Sequence, residues 1–102
     1  MIEVMQYLFQ KGTYEILSEI KKHGKIQPSK LADIVKSISE KTLYRRLDEL
    51  TAIGLIKKEA GFNEIGRPVT FYSLTPLGEE VVKKFVDVEK IIKEKHKAEE
   101  FA

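Results

Sequence analysis

The sequence predicts an α+β fold, mostly helical, in which a β-hairpin separates four helices from a long fifth helix. Three observations predict it. Apolar residues recur at helical spacing through the first half of the chain. A β-branched and aromatic run at residues 69–74 follows a loop that contains two glycines and a proline. A helical pattern then begins at Thr75 and Pro76 and extends to about residue 98.

Length and composition limit the class of protein. The 102 residues suit one domain with one core, since 42% of them are hydrophobic. The sequence contains no apolar run of transmembrane length, and residues 1–12 lack the features of a signal peptide. Because there is no cysteine and only His23 and His96 among histidines, disulfides and metal sites are not expected. We therefore expect a cytoplasmic protein without a cofactor.

Two helices are predicted at the start of the chain. The first covers residues 2–10, and Gly12 separates it from the second. The second begins at Thr13, which we expect to cap it, and ends at Gly24 after three basic side chains. The residues that face inward from the second helix are Ile16, Leu17 and Ile20.

A third and a fourth helix follow a short extended segment at residues 25–27. Pro28 suits the first turn of the third helix. Ser37 and Ser39 are equally good caps for the fourth helix, which ends at Gly54. The inward faces consist of Leu31, Ile34, Val35 and Ile38 in the third helix, and of Leu43, Leu47 and Leu50 in the fourth.

A β-hairpin and the long helix complete the predicted fold. The two strands cover residues 55–59 and 69–74, and residues 61–68 form the loop between them. Thr75 is the predicted cap of the last helix, and Pro76 lies in its first turn. The order of elements is that of a helix-turn-helix followed by a wing, which is a β-hairpin.

Two segments resemble known proteins. The runs SEKTLYRRLDELTAIGLIKKE and GRPVTFYSLTPLGEE are similar to winged-helix transcriptional regulators of bacteria and archaea, of the small MarR, PadR, HxlR and ArsR types. The most specific parts are the GLI ending of the recognition helix and the YSLTPLG exit from the wing. The resemblance covers about residues 13–80 and implies a winged helix-turn-helix domain that binds double-stranded DNA.

The resemblance also implies a mode of action. The recognition helix, about residues 39–53, would enter the major groove, and the wing, about residues 56–74, would contact the backbone and the minor groove. We expect a sequence-specific regulator that acts as a homodimer, and no enzyme, because no catalytic motif is present. The expected single domain, residues 1–102, has an N-terminal helix at 1–10, a core at 13–78 and a C-terminal helix at 75–100.

Candidate DNA-binding residues cluster in the middle of the chain, where all the arginines lie. Arg45 faces away from the leucines of its helix and is the best candidate for a base edge. Arg46 lies nearer the leucines and is expected to reach a phosphate or a group within the protein. In the resembled regulators a cation at the wing tip enters the minor groove, and Arg67 occupies that position here. The full set is Ser39, Lys41, Thr42, Tyr44, Arg45, Arg46, Lys57, Lys58 and Arg67.

The last helix carries more apolar residues than a small domain has room to cover. It has a seam at heptad spacing and a second stripe formed by Val82, Val86 and Ile91. One stripe can pack on the domain while the other needs a partner; alternatively, both pack on the first helix of the same subunit. We expect a homodimer whose interface consists of Met5, Leu8, Phe9, Val81, Phe85, Val88 and Ile92.

Two other functions are compatible with the sequence. The net charge is only +2, and the recognition helix contains Glu40, Asp48 and Glu49, which favours a module that binds other proteins. A high lysine content favours an architectural protein that binds DNA without sequence preference, although the even spread of charge does not. The sequence identifies neither the operator nor a small-molecule effector.

Overall fold

A computed structural model of the chain describes residues 2–101, with the side chains of residues 4–96. The predicted, mostly helical α+β fold is confirmed, and each predicted helix and strand is present. In chain order the elements are α1 (Ile2–Leu8), α2 (Thr13–His23), β1 (Lys25–Ile26), α3 (Pro28–Ile34), α4 (Glu40–Ala52), β2 (Ile56–Phe62), β3 (Pro68–Leu74) and α5 (Pro76–Phe101).

The start of α2 differs from the predicted cap. Gly12 precedes the helix with a φ of 88°, and no side chain caps the helix at this position. Thr13 is fully buried, and its hydroxyl donates to the carbonyl oxygen of Tyr7 at 3.1 Å. Because φ at residue 12 is positive, a side chain there would be strained, and its Cβ would lie 2.7 Å from Cδ1 of Ile38. The predicted capping role of Thr13 is wrong because its hydroxyl instead connects α2 to the end of α1.

Helix α3 is shorter than its apolar pattern predicts. It ends at Ile34 because Val35 is extended, with φ of −85° and ψ of 95°. Val35 is buried and Ile38 half-buried, so both reach the core from the following turn instead of from a helix. The expected inward position of Ile34 is wrong, since this side chain is 38% exposed.

Ser39, one of the two predicted alternatives, is the cap of α4. Its hydroxyl accepts a hydrogen bond from the backbone N–H of Thr42 at 3.1 Å. Gly54, with a φ of 82°, follows the helix as predicted. The predicted inward face is confirmed, because Leu43, Leu47 and Leu50 are buried.

Three antiparallel strands form one small sheet in the order β1-β3-β2. The hairpin register extends from Ile56 opposite Leu74 to Phe62 opposite Pro68, so the loop is shorter than predicted and contains only residues 63–67. Gly61 belongs to β2, where it pairs with Val69, and the ring of Phe71 lies over it, where a Cβ would come within 2.7 Å. We call β2, β3 and this loop the wing.

Helix α5 begins against the sheet. Thr75 caps it as predicted: its hydroxyl accepts from the N–H of Gly78 at 3.0 Å and donates to the carbonyl of Gly54 at 2.6 Å. Gly78 lies against Leu55, where a Cβ would come within 2.0 Å of the carbonyl oxygen. The core comprises Ile16, Leu17, Ile20, Ile26, Leu31, Val35, Leu43, Leu47, Leu50, Leu55, Ile56, Tyr72, Leu74 and Val82. Among the described helices, none has the length and apolar character needed to cross a membrane.

Candidate nucleic-acid interface

The face of α4 opposite its buried leucines carries three of the predicted DNA-binding side chains, including Arg45, the one predicted to reach a base edge. Lys41, Tyr44 and Arg45 are all exposed. Lys41 and Arg45 are four residues apart, so they lie one above the other on the same face. Neither cation belongs to an ion pair with any residue that the structure describes. Both charges are therefore available to an anionic partner.

Arg46 behaves differently from its neighbour Arg45. Its side chain is only 12% exposed, and Nη1 lies 3.1 Å from Oε1 of Glu49. Its Nε donates to the carbonyl oxygen of Lys11 at 3.1 Å, which connects α4 to the segment between α1 and α2. Of the two roles predicted for Arg46, these contacts favour the one within the protein.

The first turn of α4 offers backbone donors more than side-chain donors. The hydroxyls of Ser39 and Thr42 bond to each other at 2.9 Å, and that of Ser39 also holds the cap. Free N–H groups at the start of a helix attract phosphate. Glu40 lies in the same turn and opposes that attraction with its carboxylate.

Two predicted cations lie on β2 of the wing. Lys57 Nζ is 3.6 Å from Oε1 of Glu59, which also accepts a hydrogen bond from the hydroxyl of Ser73 at 3.0 Å. Lys58 is opposite Tyr72 in the register and has no ion-pair partner within the described side chains. Because successive strand residues point to opposite faces, only one of these two lysines can face a given side of the hairpin.

The wing tip is a turn held by hydrogen bonds to one side chain, a feature that was not predicted from the sequence. Oδ1 of Asn63 accepts from the backbone N–H groups of Ile65 at 3.1 Å and of Arg67 at 2.9 Å. The N–H of Asn63 donates to the carbonyl of Arg67 at 2.9 Å, and Gly66 has a φ of 82°. An asparagine ahead of a glycine in a hairpin loop is a signal for such a turn. The Arg67 side chain is exposed at this tip, beside the apolar Ile65.

A groove between α1, α2 and α5 collects most of the predicted dimer-interface residues. It has a volume of about 400 Å³ and is open to solvent along one side. Met5 and Val81 lie outside this lining, and Met5 is exposed on α1. The lining residues are Leu8, Phe9, Tyr14, Phe85, Val88, Glu89, Ile92 and Lys93.

The apolar residues of α5 divide along the helix, not around it. In the heptad seam, Val81 and Phe85 pack against the core, whereas Val88 and Ile92 are each 52% exposed. The second stripe divides in the same way, because Val82 is buried while the later members Val86 and Ile91 are exposed. The expectation that one whole stripe packs on the domain is therefore wrong. The apolar side chains of α5 that follow Phe85, as far as the structure describes side chains, are therefore exposed.

One polar network joins α2 to α5 at the edge of this groove. The Tyr14 hydroxyl donates to Oε2 of Glu89 at 2.6 Å, and Lys93 Nζ lies 2.8 Å from Oε1 of Glu89. The Tyr14 ring also meets Phe85 edge-on, with centroids 5.8 Å apart. The bond to Glu89 raises the pKa of Tyr14, and the bond from Lys93 lowers the pKa of Glu89.

Two helices joined by a turn, followed by a β-hairpin, define a winged helix-turn-helix protein, and the family to which the chain belongs places it in the transcription-regulator class. The chain belongs to the HxlR-like helix-turn-helix family, whose model matches residues 8–100. The resemblance to small winged-helix regulators is thereby confirmed. Most of the chain, including α4, the wing and nearly all of α5, lies within this match.

Three individual proteins are similar to the chain. An uncharacterized protein of Methanocaldococcus jannaschii is 35% identical over 85 residues, which is 83% of this chain and 69% of that protein. A protein of Porphyromonas gingivalis, named as a MarR-family transcriptional regulator, is 34% identical with a TM-score of 0.70 over 90% of this chain and 87% of its own. Bacillus subtilis PadR, solved in complex with operator DNA, shares the fold at 21% identity, with a TM-score of 0.61 over 72% of this chain and 45% of its own.

Proposed function

We propose that this chain is a transcriptional regulator that binds double-stranded DNA with sequence preference and acts as a homodimer in the cytoplasm. Residues 1–102 act as one winged-helix unit, in which α4 enters the major groove and the wing contacts the backbone and minor groove. PadR, a protein of the same fold, binds operator DNA. The observation that carries the proposal is the different environment of two adjacent arginines on α4.

The two arginines differ in their contacts: Arg46 is bonded within the protein, whereas Arg45 is exposed and can contact a base. Arg46 pairs with Glu49 and donates to the carbonyl of Lys11. Arg45 has no ion-pair partner among the side chains that the structure describes. An exposed guanidinium on a recognition helix suits the two acceptors of guanine in the major groove. Lys41, on the same face, suits a phosphate.

The same contacts weaken the case for a protein-interaction module. That alternative relies partly on three carboxylates in α4, which would repel DNA. Glu49 is one of them, and its ion pair with Arg46 holds it at the flank of the helix with little exposure. The exposed surface of α4 then carries Lys41 and Arg45 together with two carboxylates, Asp48 and, in the first turn, Glu40.

The homodimer proposal depends on the exposed apolar side chains that follow Phe85 in α5. Val88 and Ile92 expose about half their surface next to the groove at Leu8 and Phe9. Burial of such side chains stabilises an association, and in a two-fold dimer each residue is buried in both copies. The proposed interface consists of Met5, Leu8, Phe9, Val81, Phe85, Val88 and Ile92.

The test begins with selection of duplexes from a random pool by the intact chain. Its affinity for a recovered duplex and for a random duplex is then measured over a range of salt concentrations. We expect tighter binding to the recovered duplex, and we expect Arg45→Ala to cost about 1–3 kcal/mol of that binding and to relax preference at one base pair. Lys90→Ala, on the exposed side of α5, is the matched control and should bind as the intact chain does.

Each contrary result has a definite meaning. Failure to bind any duplex would contradict the proposal and favour a protein-interaction module. Strong binding without preference would favour an architectural protein. If Arg45→Ala weakened recovered and random duplexes equally, Arg45 would contact a phosphate and not a base.

A further inference from the structure

We propose that Ile65, supported by Phe62, is an apolar wedge that enters the minor groove of DNA at the wing tip. This inference rests on the proposed DNA binding and adds to it a contact that carries no charge. It assigns a role to a part of the wing that cationic contacts leave unexplained.

The first observation is exposure. At 77%, Ile65 is the most exposed of the large apolar side chains that the structure describes, and Phe62 is 70% exposed. The two residues line one side of a shallow hollow of about 390 Å³, with Phe71 on its wall. Phe71 is covered by contrast, because it lies over Gly61 and under the ammonium group of Lys25, 4.8 Å from its ring centre. The exposed pair therefore has no cover within the described chain.

The second observation is the pinned backbone of the tip. The Asn63 side chain holds the N–H groups of both Ile65 and Arg67, and the backbone closes the turn between residues 63 and 67. A loop fixed in this way has already lost its conformational freedom, so inserting its side chain costs little further ordering. Ile65 is thus presented on a rigid support.

The third observation is the size and charge of the tip. Ile65 lies in the loop at the end of the hairpin, so a single side chain can enter the minor groove, which is about 6 Å wide, while the strands stay outside. A stable protein partner needs about 800 Å² from each side, more than the end of one hairpin offers. Arg67 places a cation on the same turn, and arginine is attracted to a narrow minor groove. These features favour DNA over a protein as the occupant, although Glu64 opposes it.

The wedge has a consequence for DNA sequence. Apolar side chains that enter the minor groove partly unstack a base step and bend the duplex. Pyrimidine–purine steps unstack most easily, so the chain should prefer such a step beneath the wing, outside the bases that α4 reads. This preference would be independent of base-edge hydrogen bonds.

The experiment compares the intact chain with Ile65→Ser and Ile65→Met on a duplex recovered by selection. The base analogue 2-aminopurine, which brightens when unstacked, is placed in turn at each step flanking the α4 contact. We expect brightening at one step with the intact chain and with Ile65→Met, which keeps an apolar wedge. Ile65→Ser should abolish it and weaken binding about tenfold without a change in salt dependence, because the side chain contacts no phosphate.

Two results would overturn the inference. One is normal affinity and normal brightening for Ile65→Ser, which would leave the apolar tip to a protein partner. The other is a loss of affinity accompanied by a smaller salt dependence, which would mean that the substitution moved Arg67. If the intact chain bound no duplex, the proposed function itself would fail, and that outcome is distinct from both. Thermal melting of each variant verifies the fold, which an exposed turn residue should not affect.

Discussion

At the scale of single residues, neighbouring side chains of the same type serve different purposes. Arg45 and Arg46 have the same chemistry, but only one guanidinium finds partners inside the fold. We predict that Arg46→Ala lowers the free energy of unfolding by about 1–3 kcal/mol, because it leaves Glu49 and a backbone carbonyl without their partner. Urea unfolding measures this, with Arg45→Ala as the control.

The two arginines should separate cleanly in that measurement. Arg45→Ala removes an exposed side chain without an ion pair and should change stability by less than about 0.5 kcal/mol. Equal destabilisation by the two substitutions would contradict the distinction. It would also weaken the choice of Arg45 as the base-reading residue, since that choice assumes that Arg45 does not stabilise the fold.

Arg67 provides a separate test at the wing tip. Its backbone N–H helps to close the turn, whereas its side chain extends into solvent. Arg67→Ala should therefore keep the turn and remove one positive charge that can neutralise a phosphate. The slope of log affinity against log salt concentration should then fall by up to about one unit. Affinity as a function of salt measures it. Unchanged affinity and slope would show that this cation does not contact DNA.

At the scale of elements, the junction between the wing and α5 depends on one glycine. A Cβ at residue 78 would come within 2.0 Å of the carbonyl oxygen of Leu55, and neither backbone can yield easily. We predict that Gly78→Ala costs about 3 kcal/mol or more of stability, despite alanine's better helix propensity. Thermal unfolding measures the loss. Leu77→Ala, at the exposed neighbouring position, should have little effect; a similar effect of both would contradict the clash.

The contact between α2 and α5 should be visible in titration. The Tyr14 hydroxyl donates to the Glu89 carboxylate, and ionising it would place two negative charges together, which raises the pKa of Tyr14. Glu89→Gln should therefore lower the pKa of Tyr14, as read from its carbon-13 ring signal by NMR. An unchanged value would mean that this hydrogen bond does not form in solution.

The lowered pKa of Glu89 determines how the contact between α2 and α5 depends on pH. Lys93 is the first cause of the shift, followed by the hydroxyl of Tyr14. A carboxyl whose pKa is lower in the folded state contributes stability above its unfolded pKa and loses it as the pH falls through the folded value. The contact between Tyr14 on α2 and Glu89 on α5 should therefore weaken only in acid, at a pH below the ordinary pKa of a glutamate.

The sequence predicted the elements better than their ends. Helical periodicity located every helix, but it extended α3 into a turn because Val35 and Ile38 still face the core after the helix stops. Glycine was interpreted as a loop signal at residue 61, whereas in the sheet it makes room for the ring of Phe71. Both errors have one cause: a local pattern does not contain the tertiary contact that decides it.

The candidate site was predictable to a similar degree. The outward position of Arg45 follows from helical spacing alone, and it is exposed as expected. The role of Arg46 did not follow, because its partner at Lys11 lies 35 residues away in sequence. The exposed Ile65 was missed for another reason: an apolar residue in a loop carries no periodic signal that marks it as uncovered.

At the scale of the whole molecule, α5 makes the chain elongated. The longest dimension is 57 Å and the radius of gyration is 15.5 Å, against about 13 Å for a compact domain of this length. Helix α5 has 26 residues and is therefore about 39 Å long, so its second half extends past the core. Exposed apolar residues on an extended helix favour association, because covering them removes apolar surface from water.

We predict that a second copy provides this cover. The intact chain at micromolar concentration should have twice its monomer mass of 11.7 kDa by light scattering or sedimentation. A combined Val88→Glu and Ile92→Glu variant should be a folded monomer, because both side chains are already half exposed without a partner. Lys90→Glu introduces the same charge on the other side of α5 and should leave the dimer intact.

The same variants connect assembly to function. A two-fold dimer would set two copies of α4 about 34 Å apart, one turn of B-DNA, or a multiple of it, so that each adds to the affinity of the other. The monomeric variant should then keep weak binding to random duplex and lose its preference for a recovered one, while Lys90→Glu retains it. A mass near 11.7 kDa for the intact chain would contradict the dimer. Retention of full preference by the monomeric variant would instead mean that one copy of α4 and one wing suffice for recognition.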